Sequence, residues 1–332
     1  MAALAGVSVA TVSYVMNGRM SDRIPEATKG RVLSAARQLG YSPNRSARSL
    51  RRRKTEQVCL VVDSIGVPSN DQLARALHAR ADEVGYGVVT MVVDSPDRAE
   101  KTVDLLHQRL VDGAVVAPSI NRQVSDEALA GLARGGLPLV VMSNTAIPAG
   151  FDVVRAPEAQ ACGEALDHLY SSGCRRVAYV GHHAELTDAA VRNRSERLNA
   201  YLAARERHGA EADDSLIVEG ADGRVAAYQS TRRLLARPDR PDAVFTASGR
   251  AGVSALWAVR DEGLAVPDNI AVVGCGNLPE SLITQPPLST VGAAAADFTD
   301  VSTLLFERLL ATEPLPVREI TTPWVFTNRG SS

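Results

Sequence analysis

Residues Gly6 to Gly18, read G-V-S-V-A-T-V-S-Y-V-M-N-G, leave little choice of local structure. Gly6 suits a tight turn, because it takes positive φ without steric cost. Ser8 fits a helix N-cap, its hydroxyl placed to accept from an exposed amide. Val9, Val12, Val15 and Met16 recur at helical spacing, so this face is expected to pack inward. Thr11, Ser13 and Tyr14 point elsewhere. Asn17-Gly18 is a plausible stop, since both tolerate left-handed geometry. Met1 to Ala5 before the turn make barely more than one helical turn. Helix, turn and second helix form a unit of the helix-turn-helix kind, whose second helix lies in a DNA major groove.

The stretch resembles the signature A-x-x-A-G-V-S-x-x-T-V-S-x-V-x-N of the LacI/GalR family of transcription regulators, which Ala2 to Asn17 match at nearly every fixed position. A second block, Y-S-P-N-R-S-A-R-S-L from Tyr41 to Leu50, follows at family spacing. The likeness then runs more weakly to the C-terminus. It implies a small all-α helix-turn-helix head and an α/β, two-lobed, periplasmic-binding-protein-like body, whose parallel sheets carry helices on both faces. The head is expected over 1–43, a hinge helix and linker over 44–55, and an effector-binding and dimerisation body over 56–332. Lobe 1 would span about 56–155 plus returning C-terminal segments. Lobe 2 would span about 156–283, the chain returning after Pro286-Pro287-Leu288.

Charge is distributed accordingly. The chain of 332 residues has a net charge of −2. Residues 1–55 hold eleven Lys/Arg against two Asp/Glu, a balance of +9, which leaves −11 for the rest. A basic head on an acidic body suits phosphate contact by the head alone. The family usually has several more residues before the first alanine, so the numbered start is expected to lie downstream of the family's.

The recognition helix is expected from about Val9 to Met16. Ser8, Val9, Ala10, Thr11, Ser13, Tyr14 and Asn17, in it or at its ends, are the DNA-contact candidates. Val9 and Ala10 are the best specificity candidates; being apolar, they can touch a thymine methyl but make no bidentate base contact. Simple packing is the competing reading for both. Tyr14 stands where several relatives carry Arg, which removes a guanine-reading group. Pro25 suits the first turn of a third helix. Val32, Leu33, Ala36 and Leu39 would form its apolar face, and Gly40 its end. Asn44 to Leu50 resembles the family's hinge helix. There Ala47 lets two helices approach, Leu50 wedges into a minor-groove step, and Asn44, Arg45 and Arg48 face the DNA. Each neutralised phosphate adds salt sensitivity.

The body alternates apolar runs with helical patterns. Strands are predicted at Val58–Val62, Gly87–Val93, Gly113–Ala117, Leu139–Met142, Arg176–Val180, Ala243–Thr246 and Ile270–Gly274. Helices are predicted at Gln72–Val84, Ala99–Leu110, Ala159–Ser171, Arg194–Arg207, Val225–Leu235 and Val253–Glu262. Continuous apolar strands separated by helices imply buried parallel sheets.

By resemblance, an effector would sit in the cleft between the lobes. The effector candidates are Ser69, Asn70, Ser143, Arg194, Ser248 and Asn277. They depart from the family: Val67-Pro68-Ser69-Asn70 replaces two aromatic platforms, and Ser143-Asn144 replaces an acidic–basic pair. Ser248-Gly249 replaces Asn-Asp, and Asn277 stands for an Asp. Arg194 lines up with an effector-contacting arginine, although the glycine three residues later is Arg197. Three readings stay open: a non-sugar effector with a carboxylate or phosphate for Arg194, which ranks first, a bulkier ligand, or no effector.

No catalytic or metal constellation emerges. G-C-G-N-L-P at Gly274 lacks the third glycine of a dinucleotide fingerprint. His182 and His183 are adjacent, so on an extended stretch they point apart. Cys59, Cys162, Cys174 and Cys275 lack C-x-x-C spacing and read as reduced thiols. No apolar run approaches the roughly 20 residues of a membrane helix, and no signal peptide is visible. Trp257 and Trp324 read as core or interface residues. The expectation is a cytoplasmic homodimeric repressor that works without cofactor or metal. Its partners are double-stranded operator DNA, with nucleoid association when bound, and a small-molecule effector that need not be a simple sugar. The absence of a trailing heptad segment favours dimer over tetramer. The alternative is a ligand-sensing binding protein with an incomplete or inactive head.

Overall fold

The computed structural model describes residues 1–16, 23–41, 54–118, 120, 123–293 and 298–332. Asn17, Asn44, Arg45, Ala47, Arg48 and Leu50, and with them the expected hinge helix, lie outside the described residues. Two compact units are present, Met1–Glu56 and Gln57–Ser332.

In the first unit, α1 (Ala2–Ala5), α2 (Val9–Met16) and α3 (Glu26–Gln38) close on a core of Ala5, Val32 and Ala35. Gly6 takes φ 63°, the left-handed turn its position requires. Ser8 Oγ accepts the Thr11 amide at 3.1 Å, the expected cap. Val12, Val15 and Met16 pack on that core, but Val9 is 76% exposed. It sits in the first turn of α2, beyond the reach of so small a core. In α3 the inward stripe is Val32, Ala35 and Ala36, at i, i+3 and i+4. Leu33 and Leu39, expected inside, are exposed. Leu33 lies about 100° round the helix from Val32, and Leu39 falls at the C-cap.

The second unit begins with β1 (Gln57–Val62), α4 (Pro68–Val84), β2 (Gly87–Val92), α5 (Pro96–His107), β3 (Gly113–Val116), α6 (Asp126–Arg134), β4 (Leu139–Met142) and β5 (Asp152–Arg155). There follow α7 (Ala159–Ser171), β6 (Val177–Gly181), α8 (His183–Thr187), α9 (Ala189–Arg194), α10 (Glu196–Arg207), β7 (Ile217–Glu219), α11 (Arg224–Leu235), β8 (Ala243–Thr246), α12 (Gly249–Asp261) and β9 (Ala271–Cys275). The last elements are β10 (Ser289–Ala293), α13 (Thr299–Leu310), β11 (Glu319–Thr321) and β12 (Trp324–Thr327).

Two six-stranded sheets result, ordered β11-β5-β4-β3-β1-β2 and β12-β10-β9-β8-β6-β7. Every pairing is parallel except β12 on β10, which is antiparallel. Each sheet has one switch point, β1/β3 in the first and β6/β8 in the second. Alternation explains the two-sided cores. Val177 and Tyr179 join one apolar cluster of the second sheet, while Ala178 and Val180 join the other.

The chain passes between the lobes after Arg155, between Ala293 and Thr299, and after Thr321. The return is later than expected: β10 and β12 belong to the second sheet, so the second lobe extends beyond 283. Among the described residues, α13 and β11 return to the first, where Leu305 and Phe306 enter its core. Helices α4, α5 and α12 start three or four residues earlier than periodicity suggested. Pro68 and Pro96 begin the first two, where a missing amide costs nothing. Ser248 caps the third.

Candidate functional site: the head helix and the crevice between the lobes

In the head, α2 presents Val9, Ala10, Ser13 and Tyr14 as exposed residues. Ser8 and Thr11 are engaged with one another, Ser8 Oγ lying 2.9 Å from Thr11 Oγ1. No residue from Val9 to Met16 is charged. Positive charge on the described surface comes instead from neighbouring residues such as Arg23, Arg31 and Arg37.

In the body, parallel strands place their carboxyl ends, and the loops that leave them, where doubly wound sheets hold ligands. Asp63 follows β1, Ser143 and Asn144 follow β4, Asp222 follows β7, Ser248 follows β8, and Asn277 follows β9. Among the described residues, hydrogen bonds from Asn144 and Arg250 tie the lobes together. Asn144 Nδ2 donates to Glu196 Oε1 at 2.6 Å, and Arg250 Nη1 donates to the Gly66 carbonyl at 3.1 Å. Glu196 Oε2 also accepts the amides of Glu158 and Ala159 at 2.7 and 3.0 Å, where α7 begins.

The cationic centre is Arg197. Its Nη2 donates to Glu158 Oε1 at 2.8 Å, its Nε to the other oxygen of that carboxylate, and its Nη1 to the Ala247 carbonyl. The guanidinium lies 5.2 Å from the centroid of the Trp324 ring. Burial pulls its pKa down, and the Glu158 carboxylate outweighs that pull, holding it well above the ordinary value. Arg194, the expected effector contact, ends α9 and is exposed. Ser195 separates the two, capping α10 through its Oγ to the Leu198 amide at 3.2 Å. Helical period held the clue. Arg197 shares the inward side of α10 with Leu198, Tyr201 and Ala204, all buried.

Most other expected effector residues are committed to the fold. Asn70 Nδ2 donates to Asp63 Oδ1 at 3.1 Å and to the Ser64 carbonyl at 3.0 Å. Ser143 Oγ accepts the Thr145 and Ala146 amides at 3.2 and 2.9 Å, closing a turn. Ser248 Oγ donates to the Ala221 carbonyl at 2.8 Å and caps α12 through the Ala251 amide. Asn277 donates to the Ala293 carbonyl at 2.8 Å and accepts from Thr290 Oγ1 at 2.5 Å. Ser69 is exposed in the first turn of α4.

The histidine pair separates as adjacent residues should. His182 Nδ1 lies 2.7 Å from Asp222 Oδ1, while His183 Nδ1 lies 3.0 Å from Glu219 Oε2. The hydrogen bond to Glu219 raises the His183 imidazole above its ordinary range. Hydrogen bonding from His182 outweighs partial burial and holds the Asp222 carboxyl low. Among the described residues no group of three or more His, Cys, Asp or Glu is arranged to hold a metal. Burial pushes the Cys59 thiol up to about 12 and the Cys174 thiol to about 11, far from the nucleophilic range. No helix among the described residues is long and apolar enough to cross a membrane.

Comparison with known proteins agrees with this architecture. The profile for bacterial regulatory proteins of the lacI family matches residues 1–44, and that for a periplasmic binding protein-like domain matches residues 166–332. The HTH-type transcriptional regulator CelR of Thermobifida fusca is 31% identical over 328 residues, covering 96% of this chain and 93% of its own. The HTH-type transcriptional regulator DegA of Bacillus subtilis is 30% identical, covering 86% and 83%. A solved CelR–cellobiose complex superposes with a TM-score of 0.66 at 28% identity, covering 100% and 98%. The Lac repressor dimer bound to operator superposes with a TM-score of 0.74 at 21% identity over 99% and 97%, a likeness of fold. The chain belongs to the LacI family of bacterial regulatory proteins, and it is a DNA-binding transcriptional regulator, not an enzyme.

Proposed function

We propose that two copies of this chain repress transcription from a near-palindromic operator, in the cytoplasm, under control of a small molecule held between the lobes. The observation that carries the DNA half is α2, held from behind by the head's core, with Val9, Ala10, Ser13 and Tyr14 exposed. We assign base-edge contact to these four and backbone contact to Ser8 and Thr11. Asn17, Asn44, Arg45, Ala47, Arg48 and Leu50 are assigned from the sequence pattern alone, with Leu50 as the minor-groove wedge. Domain bounds of 1–43, 44–55 and 56 onward go with this reading.

The effector half rests on the paired switch points and on the Asn144 and Arg250 bonds between the lobes. A ligand there changes the angle between lobes, and effector and operator then change each other's affinity by one common factor. Arg197 is already neutralised by Glu158, Arg250 is engaged with the Gly66 carbonyl, Arg194 is exposed at a helix end, and the side chains that follow the strand ends are hydroxyls, amides and carboxylates. That composition favours a neutral, hydroxyl-rich ligand over the anionic one that Arg194 suggested. Among the relatives, one is named as a ribose operon repressor and one was solved with cellobiose. Ser69, Asn70, Ser143, Arg194, Ser248 and Asn277 remain the proposed contacts, with Asn70 offering only its carbonyl oxygen.

Gel-shift titration of the full chain on a selected palindrome tests the first half. Specific, salt-sensitive binding is expected, and salt-insensitive or absent binding rejects it. Leu50→Ala is expected to weaken specific binding far more than non-specific binding; equal losses reject the wedge. Thermal-shift screening against sugars, nucleosides and small acids tests the second half, with stabilisation by a neutral polyol expected.

A further inference from the structure

We propose that each operator half-site carries thymine beneath Val9 and Ala10, and that the head recognises it through its 5-methyl group rather than through hydrogen bonds. The inference rests on α2 being the base-reading helix. Val9 is 76% exposed and Tyr14 41% exposed. These are large apolar surfaces for a head whose core cluster has three buried residues. Packing within the head does not account for Val9, since Val12, Val15 and Met16 supply the inward stripe. Ala10 and Tyr14 stand four apart and share a face. Helical side chains lean toward the N-terminus, which carries the Tyr14 ring toward Ala10.

No side chain from Val9 to Met16 is a guanidinium, ammonium, carboxylate or amide. None of them can make the two-point contact by which Arg marks guanine or Asn and Gln mark adenine. The Ser8 and Thr11 hydroxyls pair with one another in the cap, and the one hydrogen the pair leaves free is assigned above to the DNA backbone. Among base edges in the major groove, only thymine presents an apolar group, its C5-methyl. The apolar outward surface of Val9 and Ala10 is therefore complementary to thymine alone among the four bases, whereas a single hydrogen bond to the Ser13 or Tyr14 hydroxyl is one that any base edge can take.

Selection from a randomised palindromic duplex library with the full chain supplies an operator. Each thymine is then replaced in turn by deoxyuridine, which deletes the methyl and keeps every hydrogen-bonding group. At one or two positions per half-site the change is expected to weaken binding about fourfold, and about fifteenfold when made in both halves, as one buried carbon per half-site predicts. Val9→Ala should largely remove that sensitivity while binding the deoxyuridine duplex about as well as the parent chain does. Cytosine placed at the same position should regain affinity on 5-methylation. An operator indifferent to deoxyuridine at every position, or a Val9→Ala chain that keeps the whole penalty, overturns the inference alone. A library from which no duplex is enriched overturns the regulator reading together with it.

Discussion

Arg197 and Arg194 are separated by three positions and by most of their electrostatics. Arg197 is one-fifth exposed and chelates a Glu158 carboxylate that is equally covered. Removing one partner of such a pair leaves the other charged with little access to solvent. Arg197→Ala is therefore expected to cost about 3 kcal/mol of stability. Arg194→Ala, at an exposed helix end, should stay within about 0.5 kcal/mol. Urea unfolding of the two variants of the full chain checks this, and equal effects would reject the assignment. The head shows a similar division between local and distant information. Ser8 as a cap, Gly6 as a left-handed turn and Val12, Val15 and Met16 as an inward stripe were all legible, because each depends on neighbours within about one turn. Val9 was misplaced because helical period says which way a side chain faces and not how far the opposing core extends; Leu33 and Leu39 were misplaced because the inward stripe runs through Val32, Ala35 and Ala36, one residue off Leu33, and ends before Leu39.

Among elements, the three-way joint of β5, α13 and β11 depends on one carboxylate. Asp152 has no exposed surface, and Arg308 and Arg318 both pair with it. Arg318 donates from Nη2 to Oδ2 at 2.8 Å and from its backbone amide to Oδ1 at 2.8 Å. Burial pushes the Asp152 carboxyl up, and the hydrogen bonds from the two arginines outweigh it, so its pKa lies below the ordinary carboxylate range. A depressed folded-state value means stabilisation that is complete above the unfolded carboxyl's pKa and lost as pH falls through the folded one. Asp152→Asn is thus expected to cost about 3 kcal/mol at neutral pH. It should also flatten the fall in stability below about pH 4. Urea melts across acidic pH measure both; an unchanged acid slope would count against the joint. None of these three elements was predicted. β5 (D-V-V-R) and β11 (E-I-T) carry charged residues, so neither is the continuous apolar run by which the four-residue strands β3 and β4 were found, and α13 lacks a capping signature, since Phe298 precedes it with φ 50° and no side-chain cap.

At the scale of the molecule, charge and connectivity govern behaviour. The balance of +9 over residues 1–55 against −11 over the rest predicts that DNA binding is steeply salt-dependent and that the body adds nothing to it. Neutralising four phosphates would lower affinity about a hundredfold between 50 and 200 mM salt. A titration of full-length chain on non-specific duplex measures the slope, and a flat profile would show that the head's charge is not what grips DNA. The amino-acid sequence alone determined the helix-turn-helix unit, the family, the parallel α/β class and most of the central strands. Capping, helical period and apolar runs are written within a few consecutive residues, and burial on both faces leaves those strands uniformly apolar. Tertiary structure alone decided which carboxylate the inward-facing Arg197 meets, which crevice hydroxyls are committed to turns and caps, and how late the chain leaves the second lobe. Contacts such as Arg318 to Asp152 span 166 positions. They exist only because chain topology sets β11 beside β5, and no local pattern encodes that adjacency.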